Sequence, residues 1–427
     1  MQILKHLFGA AAANGKAEPS SSCRKPAIPS LISAVNRQGA LEGAALVLCG
    51  LCSLYGWLGT ASEFLRNPFQ DWAVFHAAAV GYRHFGSWQA IFANWSMPDH
   101  PWLYPPSFLL LLLPLGGLSF DAGCAVFLGI ALLALVGALW CFAGERRWLL
   151  LIAVVLSPAA MVNFYLGQNA FLTGALFFGG TLALRRQPLL AGTLLGVLTY
   201  KPQIAIMLPL ALVAARQWKA LGSAAVSACV LALASAAIFG PDAWQSWWTM
   251  ISSGGVGLSS SVATGRLHGS SVFTCAILFG ATPLLANLLQ AVATLLAGVS
   301  VYISWRRPMP DALRIAVLAT ATVLGAPHVT GYDAILSAFA AALLFRECLK
   351  SGSGPAELLI SWIAWVIPLV NPPMFHPLGR LTPLFDALLI AAILLRGAGT
   401  ARVSRTSKDN RADTCSVGPD PIPSRVN

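Results

Sequence analysis

Apolar runs separated by short polar or Pro/Gly breaks fill almost the whole chain. They occupy 40–60 and about 104–118, 122–143, 148–165, 169–184, 188–200, 203–215, 220–239, 284–305, 312–326, 332–348, 357–371 and 381–396. A bilayer core takes about 20 largely apolar residues per helix. The pattern therefore predicts an all-α integral membrane protein, a helical bundle of about 11–13 transmembrane helices. Residues 61–105 break the rhythm. They are rich in aromatics and poor in Lys, and read as two short helices at the membrane surface after the first span. Two runs resist assignment. The short run 104–118 is either re-entrant or joined to 122–143 within the bilayer, and 271–283 is too short to count as a span. No internal repeat at a fixed period stands out, which weakens a transporter built from duplicated halves.

Composition agrees with the pattern. Of 427 residues, 57% are hydrophobic and only 10% charged, against roughly 25% charged in soluble domains. A soluble fold is excluded. The net charge of +11 resembles a nucleic-acid signal until its positions are read. Arg146/Arg147, Arg185/Arg186, Arg216/Lys219, Arg306/Arg307, Arg346/Lys350 and Arg396 sit at breaks between apolar runs. That is the distribution of inner loops under the positive-inside rule, and no basic face with interleaved aromatics points to nucleic acid. The nine Cys are scattered, and the Cys49–Cys52 pair lies within the first span, where free Cys behaves as a small hydrophobe. Residues 1–38 lack a signal peptide's apolar core. The expected organisation is a disordered cytoplasmic leader (1–38), a membrane domain (39–397) and a disordered basic cytoplasmic tail (398–427).

With basic pairs inside, the polar residues gather on the outer side: Asp71, His76, His84, His100, Gln168, Asn169, Lys201, Arg266, His268, His328, Asp333 and His376. Asp71, hemmed in by Trp72 and Phe75, reads as a helix N-cap, as a working intramembrane carboxylate, or as both. Tyr104-Pro105-Pro106 is a rigid helix start, and Tyr104 is additionally placed to line a sugar site. Gly167-Gln168-Asn169 must hydrogen-bond something, backbone or ligand. Lys201-Pro202 interrupts a long apolar stretch. Its Lys either snorkels to the interface or faces a phosphate. Pro327-His328 and Tyr332-Asp333 mark another break. His spacing matches no metal-ligand motif, so no cofactor is expected, although a divalent metal stays open.

Taken in order, these motifs form a set: an Asp soon after the first span, Tyr-Pro-Pro, Gly-Gln-Asn, Lys-Pro, and a Pro followed by Tyr-Asp. The set resembles glycosyltransferase family 87 over about residues 40–396. The resemblance implies a GT-C type helical fold with an extracytoplasmic site, and a sugar donor carried on a polyprenyl phosphate, mannose being the best-known sugar. It implies a glycan or glycolipid acceptor, the bacterial plasma membrane as location, and no nucleic acid. It matches Asp71 to the family's catalytic Asp, Lys201 to its Lys-Pro lysine and Gln168 to its Gly-Gln glutamine. His76, Tyr104, Asn169, Arg266, His268 and His328 join Gln168 and Lys201 as donor-binding candidates. Pro105, Pro106, Gly167, Pro202, Tyr332 and Asp333 are supporting candidates. A secondary transporter or flippase, an O-antigen ligase or polymerase, and a non-catalytic scaffold are the alternatives.

Overall fold

The computed structural model describes residues 43–45, 47–58, 68–95, 102–141, 147–252, 269–351, 354–370 and 377–415, with side chains up to 399. The leader expected over 1–38, and both Arg266 and His268, lie outside the described residues. Every regular element among the described residues is helical. The bundle is all-α, as the apolar pattern predicts.

Four helices are long and apolar enough to cross a membrane: Phe120–Trp140, Trp218–Phe239, Pro283–Arg306 and Pro377–Gly399. The run 148–165, read as one span, is instead two helices, Arg147–Val155 and Pro158–Leu166, bent by 47°. The cause is local. Ser157 accepts a hydrogen bond from Ala160 N–H as an N-cap, and Pro158 occupies the first turn of a new helix, where a missing N–H does no harm. Several other apolar helices are shorter, among them Pro106–Gly117, Ala170–Ala183, Pro188–Tyr200 and Pro202–Ala214. The run 104–118 thus yields about 18 Å of helix at 1.5 Å per residue, less than the roughly 30 Å of a bilayer core. At the other end of the chain, the last helix runs from Thr382 to Cys415.

In chain order the elements used below are α1 (Gly43–Leu58), α2 (Gln70–Phe85), α3 (Trp88–Ala93), α4 (Pro106–Leu112), α5 (Phe120–Trp140), α6 (Arg147–Val155), α7 (Pro158–Leu166) and α8 (Ala170–Ala183). There follow α9 (Pro188–Val197), α10 (Pro202–Ala205), α11 (Leu208–Ala214), α12 (Trp218–Phe239), α13 (Pro241–Ser252) and α14 (Val272–Leu278). The last five are α15 (Pro283–Arg306), α16 (Asp311–Gly325), α17 (Ile335–Ser351), α18 (Pro355–Val366) and α19 (Thr382–Cys415).

Helix α16 is the central strut, buried on nearly every side from Leu313 to Gly325 and packed against α15, α17 and α19. A helix that is apolar all round belongs in a core. Helices α9 and α12 approach backbone to backbone. A Cβ on Gly192 would lie 2.1 Å from Ala220 O, and one on Gly196 2.4 Å from Ala224 O. Small residues four apart permit such contact between membrane helices, and Ser223 and Ser227 donate across it to Leu189 O and Thr193 O.

The bundle has two chemically different ends. Arg185, Arg216, Arg306 and Asp311 all stand at helix termini on one of them. Helices α8, α11 and α16 run between that end and a polar end carrying Gln168, Lys201 and Asp333. On the basic end, Arg185 pairs with Asp311 at 2.7 Å, Arg396 with Glu357 at 2.5 Å, and Lys350 with Glu347 at 3.0 Å.

Candidate active site

Three chain reversals build the polar end. The first ends α7. Gly167 adopts φ 71, and Gln168 N–H donates to Asn163 O at 2.9 Å, the six-residue closure of a glycine C-cap. This turn presents Gln168 and Asn169 between α7 and α8, and Asn163 Oδ1 accepts Ala170 N–H at 2.7 Å to start α8. The glycine is required twice over. Its φ is positive, and a Cβ there would lie 2.5 Å from Trp72 Cβ.

The second reversal follows α9. A short 3-10 turn, Leu198–Tyr200, ends at Lys201, whose backbone leaves the helical region, and Pro202 opens α10. Lys201 points inward and is 1% exposed. The third follows α16. Thr330 and Asp333 form a reciprocal capping box around the turn Gly331–Ala334, which fixes both Asp333 and Tyr332. Helix α2 closes the site from the other side. Its Trp72 and Phe75 are buried, and Trp72 Nε1 donates to Phe120 O at 3.0 Å. Phe75 packs edge-on against Trp102, Tyr104, Phe108 and Phe127. Asp71, one residue before Trp72, is thereby held half-buried at the rim.

These reversals bring seven of the sequence-selected residues into one hydrogen-bonded group. The Gln168 amide nitrogen donates to Asp71 Oδ2 at 2.9 Å and to Tyr332 Oη at 3.1 Å. Its Oε1 accepts from Tyr104 Oη at 3.2 Å and from Asn169 N–H at 2.9 Å. Every polar atom of that side chain is therefore engaged. Lys201 Nζ donates to Asp333 Oδ1 at 2.5 Å and to Asn169 Oδ1 at 3.2 Å, and stands 4.8 Å from the centre of the Tyr332 ring.

The two carboxylates thus differ in kind. Asp333 is buried and paired with a buried ammonium, while Asp71 lies half-buried at the rim, where the Gln168 amide donates to it. The Asn169 side-chain nitrogen is buried without a hydrogen-bond partner, as is that of Asn163. An unpaired buried donor costs on the order of 1–3 kcal/mol, so the turn that carries Gln168 and Asn169 is not optimised for stability alone.

His76 is not brought to this group. Its Nε2 donates to Leu118 O at 3.1 Å, and its ring packs against Trp72 and Phe120. Pro105 and Pro106 serve the start of α4, Pro105 as extended N-cap and Pro106 in the first turn. His328 lies in the loop before the capping box and is exposed. The chain that carries Arg266 and His268 re-enters at Gly269, and Ser270 N–H donates to Val329 O at 2.8 Å beside this loop. Among the described residues, no three His, Cys, Asp or Glu side chains gather where a metal ion would be held.

Four contributors escape a reading of the sequence. Asn163 and Thr330 are ordinary polar residues until the turns they cap are seen. Tyr200, stacked on Phe108, meets Thr173 Oγ1 at 2.7 Å, and nothing but its place before Lys201 hints at it.

The sequence profile of glycosyltransferase family 87 matches residues 102–329, a little over half of the chain. The chain belongs to this family. The match takes in Tyr104, Gln168, Asn169, Lys201 and His328, whereas Asp71, Tyr332 and Asp333 lie outside it and join the family segment through the contacts to Gln168 and Lys201. No curated protein and no solved structure matches the chain. Membership makes this a membrane glycosyltransferase, acting on a sugar donor and an acceptor at the bilayer.

Proposed function

We propose that this protein transfers a hexose such as mannose from a polyprenyl-phosphate donor to a hydroxyl of an envelope glycan or glycolipid. The observation that carries the reading is the unequal pair of carboxylates. Asp333 is committed to Lys201 and buried, whereas Asp71 stands half-buried at the rim, where the Gln168 amide donates to it. Asp71 is assigned as general base. As the acceptor oxygen attacks the anomeric carbon, Asp71 takes its proton, and the bond from that carbon to the phosphate oxygen breaks with inversion. Polyprenyl phosphate leaves with the electron pair and needs no proton, since a phosphate is already a good leaving group.

Burial and pairing change the role assigned to Lys201. A buried ammonium bonded to a carboxylate orients Asn169 and balances Asp333 rather than presenting a bare charge. Contact with the donor phosphate is assigned to Arg266, His268 and His328, with the sugar beside Asn169 and Tyr104. The unpartnered Asn169 amide nitrogen is the donor suited to a sugar hydroxyl. The positive-inside rule supports an extracytoplasmic polar end, opposite the arginines.

The test is transfer from radiolabelled polyprenyl-phosphate mannose by the purified full chain. General-base catalysis contributes about 10²–10⁴-fold, so Asp71→Asn should lose activity on that scale while retaining its melting temperature. Full activity in a folded Asp71→Asn protein would overturn the assignment.

A further inference from the structure

At the basic end, away from the site just described, a cavity of about 590 Å³ opens between the ends of α8, α11 and α15 and the start of α16. It is separated from the polar end by the length of α16, about 21 Å at 1.5 Å per residue. Four guanidinium groups line it, from Arg185, Arg216, Arg306 and Arg314, against the single carboxylate of Asp311. Asp311 is bonded to Arg185 at 2.7 Å and lies 3.6 Å from Arg314. Arg216 and Arg306 are exposed.

The wall is also short of acceptors. Trp305, 7% exposed, has an indole N–H with no partner, and so does the Nε–H of Arg314, whose guanidinium lies 5.9 Å from the Trp305 ring. Buried donors are nearly always satisfied. Here two unsatisfied ones adjoin a cavity whose lining is strongly positive. Topology alone calls for basic residues at this end of the bundle, but it calls for neither a cavity nor unpaired donors in its wall.

One residue adds an independent mark. Arg216 sits at φ 55. It is the left-handed closing residue of α11, with Arg216 N–H on Val213 O and Gln217 N–H on Leu212 O. Glycine is the usual occupant of that position, because a Cβ is unfavourable there. A strained residue whose side chain lines a cavity is a reason to look for a ligand.

We propose that this cavity binds a phosphate-bearing anion, through bidentate guanidinium–phosphate contacts from the exposed Arg216 and Arg306, beside Arg314, whose guanidinium is held by Met309 O and Asp311. The phosphate belongs either to a soluble phosphate compound or to the headgroup of an anionic lipid of the adjoining leaflet. The site is separate from the transfer chemistry and does not depend on the donor or mechanism assigned above.

The test uses the full chain in two arms. In nanodiscs of phosphatidylcholine alone, calorimetric titration with pyrophosphate reads the soluble source. In mixed micelles containing phosphatidylglycerol, native mass spectrometry counts retained anionic lipids and reads the other. We expect one saturable anion per chain in at least one arm. Arg216→Gly and the double variant R216Q/R306Q should each weaken it about tenfold or more. Arg216→Gly is the decisive variant, because it relieves backbone strain. It should keep or raise the melting temperature, so lost binding would not be lost folding. Arg147→Gln and Lys350→Gln, basic residues of the same end outside the cavity, should leave binding unchanged. Absence of saturable binding in both arms, or equal weakening by the two control variants, would overturn the proposal.

Discussion

At the scale of single residues, the ion pair between Lys201 and Asp333 is the most exposed to test. Both side chains are 2% accessible, so removing one partner strands a charge in low dielectric, at a cost of about 3–5 kcal/mol. Lys201→Met alone should therefore destabilise strongly. The double variant K201M/D333N, which removes both charges, should recover much of the loss. Thermal denaturation of the four proteins in one detergent closes the cycle, and additive losses would show that the two residues do not act as a pair. Gly167→Ala is a second case. The left-handed φ costs roughly 1–2 kcal/mol for a residue with a Cβ, and the 2.5 Å approach to Trp72 Cβ requires α2 to move. We expect a lower melting temperature and reduced transfer, because α2 carries Asp71. Residue types and chain order reveal that Asp71, Gln168, Lys201 and Asp333 are unusual, since polar groups are costly inside a membrane protein. They do not reveal who bonds to whom. Lys201 and Asp333 are 132 positions apart, and their pairing depends on the turn that the Thr330–Asp333 capping box sets. His76 shows the converse, a residue in a suggestive place whose direction along α2 turns it to Leu118 O.

At the scale of elements, hydropathy located nearly every helix, but not how long each would be. The breaks that shorten α8, α9 and α11 are the turns that carry Gln168, Asn169 and Lys201, so the site is made at the expense of uninterrupted spans. A hydropathy window averages over a proline such as Pro158 and sees one run where the backbone bends by 47°. The α9–α12 pair was legible only as two glycines four apart. Its closeness, with Ala220 O 2.1 Å from a Cβ built on Gly192, depends on a partner helix that local sequence does not name. Gly192→Leu should force these helices apart. Overpacking of this kind costs about 1–3 kcal/mol, and because α9 leads directly into Tyr200 and Lys201, transfer activity should fall with it. Parallel measurement of melting temperature and initial rate checks both. Unchanged stability would mean that α9 and α12 are not in backbone contact.

At the scale of the whole molecule, the separation of charge between the two ends has a consequence for orientation. Helix α12 links the ends in one step. Its first residue, Trp218, follows Arg216, and past its last, Phe239, the next helix is tied to the site region by Trp247 Nε1 donating to Leu103 O at 3.2 Å. Its 22 residues extend about 33 Å at 1.5 Å each, close to the roughly 30 Å of a bilayer core. If α12 crosses the bilayer, the two ends should face opposite compartments. Translocating an arginine-rich terminus is disfavoured, so the end with Arg185, Arg216 and Arg306 should stay inside and the end with Asp71 and Asp333 should face out. Two exposed positions, Asp242 after α12 and Arg186 after α8, report on the two ends. In a chain whose native cysteines are replaced, Asp242→Cys should react with an impermeant maleimide on intact spheroplasts. Arg186→Cys should react only after the membrane is opened. The reverse pattern would place the carboxylates inside the cell, on the side where nucleotide sugars are available, and would remove the reason for a lipid-carried donor.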